Sequence, residues 1–312
     1  MNRMNQMRSL AGIDLKDEEK HIRGAGEEIF RHTEHEYNLT ENKSYTKDEA
    51  EALLTQEQWR QLAVMIEIPA GEFIQGSDNK KTDDHNKPAH TVQLRAYRID
   101  KYPVTNAEYA RFVAATEYIP PLDWKGGHIP PGKELHPVTM VSYFNAQKYA
   151  EWAGKRLPTE QEWEKAARGK DGRRWPWGEK MDPTRLNTYY TVGSTTKVGS
   201  YKRGVSPYGI YDMAGNVSEW TDSNFLPYQG TNANTRTFQA KEAQIPATGA
   251  ERSMRVADFV ATEKRYKVMR GGSWKSDPFS NSTYHRNYAW PNAASDFFGF
   301  RTVRDIEQQV KK

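Results

Sequence analysis

Apolar and polar positions change rhythm several times along this chain. From Val64, VMIEIPAGEFIQGS alternates and is broken by a Pro-Ala-Gly turn, which predicts a strand, a turn and a second strand. HTVQLRAYRIDKYPVT alternates again. The period then lengthens. Thr105 precedes a helix with Tyr109, Phe112 and Val113 on one face. Ser142 opens another, with Phe144, Tyr149 and Trp152, which stops at Gly154. Thr159 opens a third, with Trp163, Ala166 and Ala167, which stops at Gly169. Thr105 and Thr159 each precede a Glu by three residues, the pattern of a capping box. Beyond residue 170, Gly, Pro, Asn and aromatics dominate, no long helix is evident, and no internal repeat is found. Short helices, short strands and much irregular chain make this an α+β fold with low regular content.

Residues 1–62 read as a separate helical, acidic extension. Its first forty residues are charged and aperiodic. Thr46 and Thr55 then begin two capping boxes, and Leu53, Leu54, Trp59 and Leu62 form a thin apolar stripe. Such an arm either packs on its own domain or docks on a partner chain. Residues 63–306 read as one domain, with a polar Thr/Asn/Gln/Ala-rich insertion at 222–265 and a short tail at 307–312.

Composition narrows the chemistry. The 312 residues include no cysteine, which removes disulfides, thiolate nucleophiles, Cys-held zinc and iron–sulfur clusters. Nor is a haem site expected. The net charge of +4 gives no nucleic-acid signature. It is unevenly spread, because residues 1–60 carry nine basic and thirteen acidic side chains, leaving +8 on the rest. No apolar run is long enough to span a bilayer and no secretory h-region opens the chain, so a cytoplasmic protein is expected. A periplasmic location stays open should the chain be a processed form. Eight of the nine tryptophans lie between Trp124 and Trp290, which predicts a core built on aromatic plates.

Seven blocks occur in order: IPAGEFIQGS, IDKYPVTNAEYARFV, HPVTMVSYFNAQKYAEWAGKRLPTEQEWEKAARG, WPWG, YGIYDMAGNVSEWTD, VMRGGSW and FGFR. Together they resemble the formylglycine-generating enzyme (sulfatase-modifying factor) superfamily, over roughly Met65 to Arg304. The resemblance implies a single-domain, C-type-lectin-related fold. It also implies where chemistry should be sought. The formylglycine generators use a cysteine pair that binds Cu(I), after the RGGS-aromatic block. Here that block is Arg270–Trp274, and the two positions fall on Ser276 and at or beside Asn281. Neither is a soft ligand, so neither Cu(I) nor formylglycine formation is expected. The HxxxHxE iron-binding helix of the ergothioneine-forming branch is absent, and His32 with His35 reads as a solvated helix face. Pyoverdine-maturation oxidases of the superfamily also lack the cysteine pair.

The loop DMAGNVSEW carries the metal expectation. By resemblance, Asp212, the carbonyls of Gly215 and Val217, and Glu219 would hold a structural Ca²⁺, for which two carboxylates and hard carbonyl oxygens are suited. The alternative is that Asn216 and Glu219 only satisfy loop amides. A second calcium position would begin at Asn187. Lys155, Arg156, Glu160, Glu162 and Glu164 are expected to be scaffold, as are His90 and His136. His85 with Asp83 and Asp84 reads as a polar loop in which a surface metal site is the less favoured option. Trp274, Ser276, Asp277, Tyr284 and Trp290 are expected to line a pocket or partner surface. His285, Arg286 and Asn281 are its catalytic candidates, His285 as a general base.

Two functions follow. The favoured one is a calcium-stabilised binding or accessory subunit, partnered by another protein subunit or a second copy of itself. The alternative is an oxidase of the pyoverdine-maturation type acting on a small molecule or peptide.

Overall fold

The computed structural model describes residues 44–239 and 265–306; residues 1–43, 240–264 and 307–312, and with them His32, His35, most of the insertion and the tail, lie outside the described residues. Helices α1 (Lys47–Ala52) and α2 (Gln56–Leu62) lead into strands β1 (Met65–Ile68), β2 (Gly71–Gln75), β3 (His90–Leu94) and β4 (Tyr97–Asp100). Helices α3 (Asn106–Thr116), α4 (Tyr143–Trp152) and α5 (Glu160–Arg168) follow. Then come β5 (Ser218–Asn224), β6 (Lys267–Arg270), β7 (Asn287–Ala289), β8 (Phe298–Phe300) and β9 (Val303–Asp305). The strands form three small sheets, ordered β1-β4-β9, β2-β3 and β7-β6-β5-β8. All pairings are antiparallel except β5 with β8.

Among the described residues all five α-helices begin at a Thr or Ser whose side chain accepts from the third helical N–H, with that residue's side chain bonding back. Each such box satisfies two otherwise orphaned donors. Tyr109, Phe112, Tyr149, Trp220 and Phe300 form the main core, with Tyr109 and Tyr149 stacked 5.7 Å apart. Trp152, expected on the buried face of α4, remains 41% exposed: it is the last residue of the helix and packs with tilted rings on Phe112 and Tyr149.

Two segments set apart in the sequence, the arm and the insertion, contribute to the packed domain in part. Helices α1 and α2, assigned to the extension, pack on the domain. Ala50 joins the main core, and Trp59 and Leu62 bury against Ala107 of α3. The Arg111 guanidinium lies 3.8 Å over the Trp59 ring and pairs with Glu51. The beginning of the polar insertion is likewise structural. Strand β5 runs on to Asn224, Phe225 and Phe238 are buried, and the Tyr228 hydroxyl bonds Glu160.

Candidate functional site

Helix α5 holds the RGGSW segment in place. Glu164, fully buried on that helix, accepts from Arg168 Nη1 (2.8 Å), Gly76 N (2.9 Å) and Arg270 Nη2. Arg270, also fully buried, donates as well to the carbonyls of Thr283, Tyr284 and His285. Strand end and downstream loop are thus locked to one carboxylate. Gly271 and Gly272 follow at φ +90° and +64°, and a Cβ on Gly272 would fall 2.4 Å from Asn281 Oδ1, so this turn requires glycine.

The two positions that resemble the cysteine pair carry hydroxyl and amide chemistry. Ser276 Oγ accepts from Ser273 N at 3.0 Å and contacts Ser273 Oγ at 3.1 Å. Asn281 is buried, and its Nδ2 donates to Thr188 Oγ1 (2.8 Å) and Asp277 O (2.7 Å). Asp277 is exposed and caps the short 3₁₀ turn Pro278–Asn281. Beside this set stand two side chains that the sequence reading passed over. Tyr189 and Tyr190 both adopt left-handed backbone, φ 50° and 57°, and both are about three-fifths exposed. Their N–H groups donate to Ser276 O (3.0 Å) and Trp274 O (2.7 Å). The Tyr190 ring meets Trp274 edge-on at 5.4 Å, and Phe279 is 62% exposed. Consecutive non-glycine residues at positive φ are costly and persist where the surroundings over-determine them. Here the strain leaves two exposed aromatic side chains beside a polar floor in which Ser276 is half-buried and Asn281 and Thr188 are buried.

The DMAGNVSEW loop adjoins this floor, through Gly215 N to Gly271 O (2.8 Å) and Trp274 N to Asn216 O (3.1 Å). Asn187, expected to begin a separate calcium position, meets the same loop, since Asn216 N donates to Asn187 O at 2.9 Å. The Asn187 Oδ1 is buried without a partner. Burial pushes the Asp212 carboxyl up to about 6, with the Glu219 charge adding to the rise. Glu219 is fully buried and engaged, with Arg301 Nη2 on Oε1 (2.7 Å), and Arg301 Nε (2.6 Å) and Trp163 Nε1 (2.8 Å) on Oε2. Oε1 has a single donor and keeps a lone pair. Asn216 bonds Thr196 N and O, as the amide-satisfying alternative expects. The oxygen donors therefore suit a calcium ion in type, although Arg301 already balances one of the two carboxylates.

The remaining candidates separate. Tyr284 is buried rather than lining a surface. Arg286 is 1% exposed and spends its donors on Glu160 (2.8 and 3.0 Å), His85 O and Leu226 O, so it is scaffold rather than a ligand-facing group. Trp290 packs with Phe225, Phe238 and Tyr266 in a separate cluster. His285 faces His85, ring centroids 6.1 Å apart. Burial, and then His85, push its imidazole down to about 4, away from the neutral pKa expected of a general base. The scaffold expectations hold. Arg156 grips Glu162 in a two-bond fork, Lys155 pairs with Asp100, His90 bonds Pro88 O and Gln75, and His136 contacts Thr195.

Among the described residues no helix is long and apolar enough to cross a membrane. A sulfatase-modifying factor enzyme 1-like domain matches residues 50–306. The chain is 36% identical to the serine/threonine-protein kinase pkn1 of Chlamydia pneumoniae over 78% of its own length and 38% of that protein. It is 32% identical to the hercynine oxygenase of Mycolicibacterium smegmatis, over 77% of this chain and 60% of the other. It thus spans under two thirds of the length of these relatives. Among solved structures, PvdO from Pseudomonas aeruginosa aligns at 26% identity with a TM-score of 0.57, over 78% of this chain and 94% of that one. Fold, motif blocks and sequence kinship agree: this chain belongs to the formylglycine-generating enzyme (sulfatase-modifying factor) superfamily, as a member without cysteine.

Proposed function

We propose that the protein is an oxidase of this superfamily that works without a thiolate pair, using dioxygen on a small-molecule or peptide substrate. One observation carries the reading. The RGGSW segment is held by a buried ion network, and the two positions that resemble the cysteine pair carry the Ser276 hydroxyl and the Asn281 amide, beside the exposed Tyr189 and Tyr190 rings and Trp274. Kinship with a hercynine oxygenase supports oxidation over passive binding. The exposed rings would hold a substrate by their apolar faces, and the half-buried Ser276 hydroxyl would offer it a hydrogen bond, with Asn281 and Thr188 buried as its support. Calcium, held by Asp212, the Gly215 and Val217 carbonyls and Glu219, would stiffen the loop beneath the floor and take no part in the chemistry.

The test is incubation of the full chain with metabolite extracts and peptide libraries, under oxygen or argon, followed by mass spectrometry. Products that form only under oxygen are expected. A ligand or protein retained stoichiometrically, with no oxygen-dependent product, would overturn the oxidase reading. That outcome would support the second one, an accessory subunit. The kinase relatives favour this second reading, because the matching segment is only 38% of their length and so one part of a larger protein.

A further inference from the structure

We infer that Asp83, His85 and His285 form a binding site for a divalent first-row transition-metal ion, apart from the calcium loop and from the tyrosine-rimmed surface. One ligand atom from each lies within 4.8 Å of the other two, although His85 and His285 are 200 positions apart in the chain. Donors around an ion at ~2.1 Å sit about 3–4 Å from each other, so small side-chain rotations close the set.

The surroundings hold the imidazoles in a ligating state. His85 Nε2 lies 3.1 Å from the Arg286 carbonyl. A carbonyl only accepts, so Nε2 carries the proton and Nδ1 keeps its lone pair. A backbone carbonyl on the far nitrogen is a common way of orienting a metal-binding histidine. The two segments are tied together twice more, through Arg286 Nη1 to His85 O (2.9 Å) and Arg286 N to Asn86 Oδ1 (2.9 Å). Arg286 is itself fixed by Glu160. The Phe225 ring, 5.6 Å from His85, forms an apolar wall.

The charge is also right. Arg286 is balanced by Glu160, and Asp84 by Lys87 (3.0 Å), so the Asp83 carboxylate, which acts on both imidazoles, adds negative charge at the cluster, with Asp277 acting on His285 as well. Asp83 starts the 3₁₀ turn Asp84–Asn86 yet gives it no side-chain cap bond, so its carboxylate is not committed to the turn. Two imidazoles and one carboxylate suit iron, zinc, copper or nickel better than the oxygen-seeking Ca²⁺ or Mg²⁺. Three protein ligands leave coordination positions open for water or another small ligand. The inference does not depend on the oxidase reading: the metal is read by binding, not by turnover.

The full chain, stripped with chelator, would be titrated with Co²⁺ and then challenged with Zn²⁺. One equivalent of Co²⁺ with visible d–d absorption, displaced by Zn²⁺, is expected. Asp83→Asn removes an exposed group with no cap bond and should weaken binding at least tenfold, as should His85→Ala, with His128→Ala as the unaffected control. Because His85→Ala also loses the Arg286 carbonyl bond, the wild type supplies a second readout. Of its eight histidines, Zn²⁺ should shift the ring signals of His85 and His285 in NMR. No stoichiometric Co²⁺ binding, affinity unchanged by Asp83→Asn, or shifts confined to other histidines would each overturn the site.

Discussion

Replacing Glu164 with Gln deletes one charge and almost no volume at the point where α5 holds the RGGSW segment. In the wild type this fully buried carboxylate faces Arg168, 3% exposed, and Arg270, fully buried. Gln can still accept the Gly76 N–H, but two guanidiniums would be left without their counter-charge in a site that excludes water. Removing one partner of a buried pair costs roughly 3–5 kcal/mol. For a domain of this size each kcal/mol moves the melting temperature by about 2–4 °C, so a fall of roughly 6–20 °C is expected. Glu67→Gln is the internal control. Its partner Arg98 is 3.4 Å away, both side chains are more than half exposed, and such pairs contribute about 0–1 kcal/mol. Urea unfolding of both variants, with fluorescence and circular dichroism compared for coincidence, measures the difference. A loss below about 1 kcal/mol for Glu164→Gln would show that this ion network does not anchor the segment.

Other outcomes follow from the same geometry. EDTA should lower the melting temperature, and Asp212→Asn should abolish that sensitivity while sparing the Glu219–Arg301 pair; an unchanged wild-type melting curve in EDTA removes calcium from the loop. A sulfatase-type cysteine peptide, supplied with copper and oxygen, should give no formylglycine by mass spectrometry, because Ser276 and Asn281 provide no soft ligand pair; turnover would contradict this. Burial raises Glu108 to about 7 in the folded protein, against about 4.5 unfolded. The native state therefore binds the extra proton, and this contribution, on the order of 3 kcal/mol, is complete below about pH 4.5 and lost as pH rises through 7. Glu108→Gln keeps an acceptor for the Thr105 cap and should flatten that part of the stability–pH profile; an unaltered slope would refute the assignment.

What the sequence revealed and what it hid divide by range. The capping boxes at Thr46, Thr55, Thr105 and Thr159 are local, three residues from end to end, and all form. The Gly271-Gly272 turn was legible as part of a motif, and the helix faces mostly followed their spacing. The site was less readable because its geometry comes from distant partners. Tyr189 and Tyr190 look like any exposed tyrosines until their N–H groups are seen on Ser276 and Trp274, more than eighty residues away. Arg286 looked available for a ligand because Glu160, 126 positions distant, is silent in the sequence. The sequence groups His85 with Asp83 and Asp84 but not with His285, 200 positions away, and only the fold brings the two imidazoles together.

The proposed oxidation would take place at the surface rimmed by Tyr189 and Tyr190. Glycine takes left-handed backbone without strain, so Tyr189→Gly and Tyr190→Gly should preserve the turn while removing the rim. Oxygen uptake by these variants, with a substrate identified from the extract screen, is the most direct measurement. A rise in KM of at least tenfold at an unchanged melting temperature is predicted. Wild-type uptake kinetics in both folded variants would place the reaction elsewhere in the molecule.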